Sequence, residues 1–511
     1  MRKEVVKAVL VVFVASFCTM VIELVAGRIM APYVGVSLYT WTSIIGVVLA
    51  GISIGAYLGG ILADRYPTPR TLGWLLFFSG LAALSISPLT GGVARWQLET
   101  SLMLRILTVT AVIFFLPATL LGMISPVVVR LSLDRLERSG NVVGKIYAFS
   151  TLGSILGTFA TGFFLISWMG TRNILLLMSL ILIVSSPFFG GGFLKRRVLM
   201  VLFPVLFLSL WAVHDRAFTK PRDDQSYYFK ETDYFTIELK KTEKDGRSLE
   251  MVVLDNLIHS FVDLGDPLHL QYGYERTYSD LVAWKVKKNP RFRALLIGGG
   301  GYTFPRFLEA KYPEAQIDVV EIDSHLTRLA HERLGLSPQS RVRTFYGDAR
   351  WTLMNFKEKG VYDFIFGDAF NDLSIPYHLT TKEFSTLLRS LLKPDGLLIA
   401  NVIDDFQTGL FMPSYVRTLE EVFGRGKVAL VSDSSFEEMG ISTMIVSASV
   451  REQRWKEVEK ENPKNCFVIV PPEVDKKLQN RFAVILTDDH APVDNLTAPI
   501  FEERFGRKRR G

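Results

Sequence analysis

Cysteine is almost missing from this chain of 511 residues: Cys18 lies in an apolar segment and Cys466 near the C-terminal end. Two thiols so placed give no metal-ligand spacing and no disulfide framework, so a cysteine metal centre and a disulfide-stapled fold are excluded, and a reducing compartment is the natural reading. Long apolar runs are missing after about residue 215. Before it they dominate, and they lift the chain to 49% hydrophobic residues with a mean hydropathy of +0.25. The length allows two or three domains with full cores.

The net charge is +7, and much of it sits beside apolar segments and in the tail "RFGRKRRG". Basic residues next to membrane spans attract anionic lipid and set orientation, so the bilayer is the expected partner of these clusters and nucleic acid is not. Seven stretches have the roughly 17–25 apolar residues that cross a bilayer, near 6–26, 40–62, 71–89, 105–129, 146–168, 173–193 and 198–214. The first lacks a small-residue cleavage site and reads as an uncleaved span. Gly51, Gly55 and Gly59 recur every fourth residue, as do Gly153 and Gly157, a spacing that lets helix backbones approach closely in lipid. Glu23 and Arg28 read as an ion pair at a span end. Basic residues cluster at the N-terminus and after the second, fourth and sixth spans. That pattern puts those loops in the cytoplasm, and a seventh crossing would leave the C-terminal half outside.

From about residue 223 to 268, short β-like runs alternate, with turns expected at Asp245-Gly246 and Asp255-Asn256. From 269 on, apolar runs alternate with helical stretches: "RALLIGG", "IDVVEID", "RVRTFYGDA", "YDFIFGDAF" and "GLLIANVI". This predicts a doubly wound, largely parallel sheet of the Rossmann-like type, which "KVALVSD", "STMIVSAS" and "RFAVILTDD" could complete.

Ligands of such sheets gather at the carboxyl ends of the strands. There stand Gly298, Gly299, Gly300 and Gly301, then Glu321 and Asp323, then Asp348 and Ala349 in "YGDA", then Asp368. Glu321 lies 23 residues after Gly298, near the spacing of about 20 for an acid that holds ribose hydroxyls. The third glycine of the dinucleotide fingerprint is lacking, Thr303 standing in its place, and so is a second nucleotide half. An S-adenosyl ligand therefore fits better than a dinucleotide.

These residues resemble the spermidine synthase family, the polyamine aminopropyltransferases, and within it the membrane-fused branch. The resemblance covers about Tyr234 to Asp494 and rests on "LDN" for a family "LDG", "LQYGYERTYSDL", "GGGGYT" for "GGGDGG", "VVEID", "YGDA" and "FGDAFND". It implies a multi-pass region over 1–215, a small β domain over 223–268 and a nucleoside-binding catalytic domain over 269–511. It implies Glu321 on the ribose, Asp348 on the adenine amino group, Asp368 as the catalytic carboxylate, and Tyr272 or Tyr274 lining the amine pocket. Asp372 would be a second amine carboxylate. His378 in the same loop could contribute there, and a structural role for it is also open. No metal is expected and no tightly bound cofactor. The cosubstrate would be decarboxylated S-adenosylmethionine, although Gly301 in place of the family aspartate leaves the ordinary donor open. The acceptor would be a small diamine, the assembly a homodimer, and the location the cell membrane, with the catalytic domain in the cytoplasm where its cosubstrate is made. Two other functions stay on the table: an S-adenosylmethionine-dependent methyltransferase, and a polyamine transporter or sensor without turnover.

Overall fold

The structure is a computed structural model. It describes residues 2–93 except 36, 101–133, 139–191, and 225–507 except 256, 288–289, 370–374, 438 and 462–465. The chain forms two compact units, Met1–Arg222 with Glu231–Asp233, and Asp223–Lys230 with Tyr234–Gly511.

The first unit is helical: α1 (Arg2–Val34), α2 (Leu38–Arg65), α3 (Pro69–Val93), α4 (Leu102–Gly122), α5 (Ile124–Ser132), α6 (Ser139–Ala160), α7 (Ile166–Trp168) and α8 (Thr171–Phe189). These supply six helical segments long and apolar enough to cross a membrane, with α4 and α5 in one and α6 and α7 in another. The seventh expected stretch, 198–214, lies outside the described residues. The glycine spacing has a direct consequence. A Cβ on Gly55 would stand 2.1 Å from the carbonyl oxygen of Thr119, and one on Gly51 2.7 Å from the Ala118 methyl, so α2 and α4 touch backbone to backbone. Gly153 and Gly157 do the same for α6 against α1, at 2.3 Å and 2.6 Å from the carbonyl oxygens of Phe13 and Phe17.

The second unit opens with a four-stranded antiparallel meander: β1 (Ser226–Glu231), β2 (Thr236–Lys244), β3 (Arg247–Leu254) and β4 (Leu257–Val262). Lys244 pairs with Arg247 across Asp245 and Gly246, both at positive φ, which is the twist a two-residue hairpin needs. Leu254 pairs with Leu257 across the second expected turn, where Asp255 also has positive φ.

An eight-stranded sheet follows, built from β5 (Arg293–Ile297), β6 (Gln316–Glu321), β7 (Arg343–Tyr346), β8 (Tyr362–Gly367), β9 (Leu392–Asp405), β10 (Val428–Ser432), β11 (Ile441–Ala448) and β12 (Phe467–Ile469). Its order is β12-β10-β11-β9-β8-β5-β6-β7, parallel from β9 to β7 and antiparallel at the other end. Side chains of β5 alternate between two cores, Leu296 with Phe304 and Phe366 on one face, Leu295 and Ile297 with Phe384 on the other. Each such side chain, fully buried, contributes about 1.5–3 kcal/mol. Around the sheet lie α9 (Gly273–Val286), α10 (Thr303–Lys311), α11 (Ser324–Arg333), α12 (Ala349–Met354), α13 (Lys382–Leu391), α14 (Phe411–Phe423), α15 (Trp455–Glu461), α16 (Pro471–Leu478) and α17 (Val493–Arg507).

One expected strand is absent. "RFAVILTDD", residues 481–489, makes only an isolated bridge, from Thr487 to His490, and Phe467–Ile469 takes the sheet edge instead. The reason is where its backbone bonds go. Val484 and Leu486 donate their NH groups to the hydroxyls of Ser414 and Thr418 on α14, and the Leu486 carbonyl accepts from Lys382 at the start of α13.

Candidate active site

The chain runs outward from β5 through β6 to β7, then returns to lay β8 on the other side of β5. That reversal opens a crevice at the carboxyl ends of β5 and β8, the place where such sheets take their ligands. The Gly298–Gly301 loop leaves β5 there, and Asp368 leaves β8. The two are in contact: the Asp368 NH donates to the carbonyl of Ile297, and a Cβ on Gly298, whose φ is +97°, would stand 2.5 Å from the Asp368 carbonyl oxygen. Only glycine fits such a backbone at so close an approach.

A cavity of about 140 Å³ lies in this crevice. Gly298, Gly299, Gly300, Tyr272, Tyr274 and Asp368 line it, so the structure gathers both tyrosine candidates with the expected catalytic carboxylate. Asp368 keeps a little accessible surface toward the cavity while protein encloses it. Its Oδ1 accepts from Asn401 Nδ2 at 2.7 Å. Burial pushes its carboxyl up to about 6, with the Asn401 amide and the Tyr274 hydroxyl, both hydrogen-bonded to it, pulling the other way. Tyr272 is differently engaged: its hydroxyl donates to the carbonyl of Ile258 at 2.7 Å, so it presents its ring. Rings run from Tyr272 to Tyr274 and from Tyr274 to Tyr278, each pair with centroids 5.4 Å apart.

The remaining expected residues stand around this crevice without lining it. Glu321 is buried behind the glycine loop. Its Oε2 accepts from Gly299 NH at 2.7 Å and its Oε1 from Asp323 NH at 2.8 Å. Burial raises its carboxyl to about 7 despite these amides. Asp323 caps α11, accepting from His325 NH at 2.9 Å. Asp348 caps α12 through Trp351 NH, and its other oxygen meets His378 Nε2 at 2.7 Å. Burial works to raise this carboxyl, and the Trp351 amide and His378 outweigh it, so Asp348 is held below the ordinary range. Ala349 is buried in the core beside α13. Asp372 lies outside the described residues.

Gly301 donates its NH to Ser260 Oγ at 2.9 Å, and a Cβ there would meet Ser260 Cβ at 2.7 Å. An acidic side chain at 301 is therefore excluded by the neighbouring sheet as well as missing from the sequence.

Among the cavity residues that the sequence did not single out are Glu275, Tyr278, Asn401 and His259. Glu275 Oε2, Asn401 Oδ1, Tyr278 Oη and His259 Nε2 are buried without a hydrogen-bond partner among the described residues. The one sequence signal was a polar residue inside an apolar strand, Asn401 in "GLLIANVI". Glu275 sits in a helical stretch with no apolar run to interrupt. The cavity holds two acids whose charges oppose each other, for burial and the charge of Asp368 push Glu275 up to about 8, against a hydrogen bond from Tyr272 NH.

No protein-family model matches the chain. It is 39% identical over 133 residues to a polyamine aminopropyltransferase of Vibrio vulnificus, 26% of this chain and 44% of the relative. It is 30% identical over 221 residues to a probable polyamine aminopropyl transferase of Bifidobacterium longum, 40% of this chain and 48% of the relative. The chain thus spans about half the length of these curated relatives. Among solved structures it is similar to a probable spermidine synthase from Corynebacterium glutamicum, at 23% identity and a TM-score of 0.44, over 52% of this chain and 96% of that one.

Proposed function

We propose that this chain, whose C-terminal half is similar to the polyamine aminopropyltransferases, transfers an aminopropyl group from decarboxylated S-adenosylmethionine to a small diamine. The observation that carries this reading is the meeting of Asp368, oriented by Asn401 and Tyr274, with the Gly298–Gly300 loop in one cavity walled by tyrosine rings.

The nucleoside would lie along the glycine loop, with Glu321 toward the ribose and Asp348 toward the adenine. Glu321 already holds the loop through Gly299 NH, so ribose binding and loop position are coupled in one side chain. The attacking amine arrives as an ammonium, its free pKa lying far above 7. The Asp368 carboxylate attracts that cation and accepts its proton. The freed nitrogen lone pair forms a bond to the carbon beside the sulfonium, and the carbon–sulfur bond breaks with its electron pair going to sulfur. Sulfur leaves as the neutral thioether of methylthioadenosine. Little charge needs stabilising at the leaving group, so alignment of nitrogen, carbon and sulfur supplies much of the rate.

In this reading the reaction takes place at a membrane, supported by six helical segments among the described residues that are long and apolar enough to cross one. The six spans found among the described residues would by themselves return the chain to the side of Arg2, Lys3 and Lys7, the cytoplasm by the charge rule, where the cosubstrate is made.

The test is product analysis with the detergent-purified full-length chain, 1,4-diaminobutane and each donor. Methylthioadenosine and a triamine are expected from the decarboxylated donor. S-adenosylhomocysteine from the ordinary donor, or binding of either donor without turnover, would overturn the reading.

A further inference from the structure

The reaction just described has one base and no task for Glu275. Yet this carboxylate lines the cavity with Asp368, is 3% exposed, and has an Oε2 without a hydrogen-bond partner among the described residues. It opens α9, and the groups around it are of the wrong kind to neutralise it. Tyr272, Tyr274 and Tyr278 are uncharged, and Asp368 repels it. Arg276 beside it is exposed and sends its guanidinium to the carbonyls of Leu270 and Gln271. An ion in such a place is costly without a counter-charge. The glycine loop offers none and takes no acid of its own, because Ser260 fills the space at Gly301.

Two acids lining one small cavity, Glu275 buried and Asp368 half-buried, are satisfied together by a ligand with two positive nitrogens. The rings of Tyr272, Tyr274 and Tyr278, which line the same cavity, add cation–π attraction for the same kind of ligand. We propose that Glu275 binds the non-reacting ammonium of the acceptor while Asp368 receives the reacting one, and that Glu275 thereby selects diamines over monoamines. This inference rests on the aminopropyl-transfer reading.

The test is calorimetric titration of the full-length protein, saturated with methylthioadenosine, with 1,4-diaminobutane and with butylamine. The nucleoside product carries no aminopropyl nitrogen, so any amine effect belongs to the acceptor. Wild type should bind the diamine at least about tenfold more tightly, since one ion pair in such a site is worth over a factor of ten. Glu275→Gln should erase that preference, leave butylamine and methylthioadenosine within about twofold, and be partly rescued by Glu275→Asp. Equal wild-type affinity for the two amines overturns the proposal whether or not any variant folds. So does a variant that loses both amines equally or neither. Wild-type protein that binds no nucleoside and makes no product removes the transfer reading itself, which is a separate result from one that binds both ligands and ignores the second nitrogen.

Discussion

Asp368 is asked to be a base while buried. With its carboxyl pushed up to about 6, the carboxylate form is gained as pH rises through that value, so the wild-type rate should climb between about pH 5 and 7. Asp368→Asn should keep the fold and nucleoside binding and lower kcat/KM by roughly 10²–10⁴, the usual worth of a positioned acid or base. The deficit should narrow at high pH, where more acceptor arrives already neutral. Steady-state kinetics from pH 6 to 10 check this, and a loss that does not vary with pH would leave Asp368 a strand-end residue only. Glu275 gives a stability counterpart. Its folded value, about 8, lies above the ordinary 4.5, so its contribution to stability is fully present below about pH 4.5 and is lost as pH rises through 8. Glu275→Gln cannot ionise. In the absence of ligand it should therefore melt higher relative to wild type at pH 8.5 than at pH 5, by differential scanning fluorimetry. A gap that stays constant across that range would mean the burial of Glu275 carries no charge penalty.

At the scale of elements, one buried acid ties together the strands that make the crevice. Asp318 on β6 is fully buried and accepts from Arg293 on β5 at 3.1 Å, from Arg343 on β7 at 2.7 and 2.8 Å, and from the Tyr362 hydroxyl on β8 at 2.7 Å. Asp318→Ala would take this acceptor from all three donors, of which Arg293 keeps Glu358. We expect a cost of about 2–4 kcal/mol, less than for a wholly buried pair because both arginines reach solvent, read as a shift in chemical denaturation of this unit. In the helical unit the same reasoning concerns space. Gly55→Val would drive a side chain into the Thr119 carbonyl and push α2 from α4, at a cost of at least about 1–3 kcal/mol. Gly60 on the same helix has nothing within 4 Å of its would-be Cβ among the described residues, so Gly60→Val is the control. Thermal unfolding in detergent should separate the two variants, and equal melting would mean that the helices re-pack at no cost.

For the molecule as a whole, what the sequence disclosed follows from physics that is local or periodic. Glycine spacing in α2, the Asp245-Gly246 turn and the run of β5, buried on both faces, were all legible because each depends on near neighbours. Residues 481–489 misled because the backbone NH groups of their apolar run go to the hydroxyls of α14, not to a strand, and a tertiary partner leaves no trace in the run itself. Glu275 and Asn401 were invisible as a pair for the same reason: 126 positions separate them, and only the winding of the sheet brings them to one cavity. Sidedness also belongs to this scale. Protease added to intact cells should spare the C-terminal half and cut it only after lysis, and digestion from outside would overturn the cytoplasmic placement.

The contact between Ser260 and Gly301 constrains the order in which this site can change. An aspartate at 301 cannot be accepted while Ser260 stands, since its first carbon would lie 2.7 Å from the serine Cβ. Removing the serine hydroxyl first strands the buried NH of Gly301. Each single step is thus worse than either end state, and the two positions must move nearly together. The acid that faces the cavity from α9 is free of that bind, because helix and loop mutate independently.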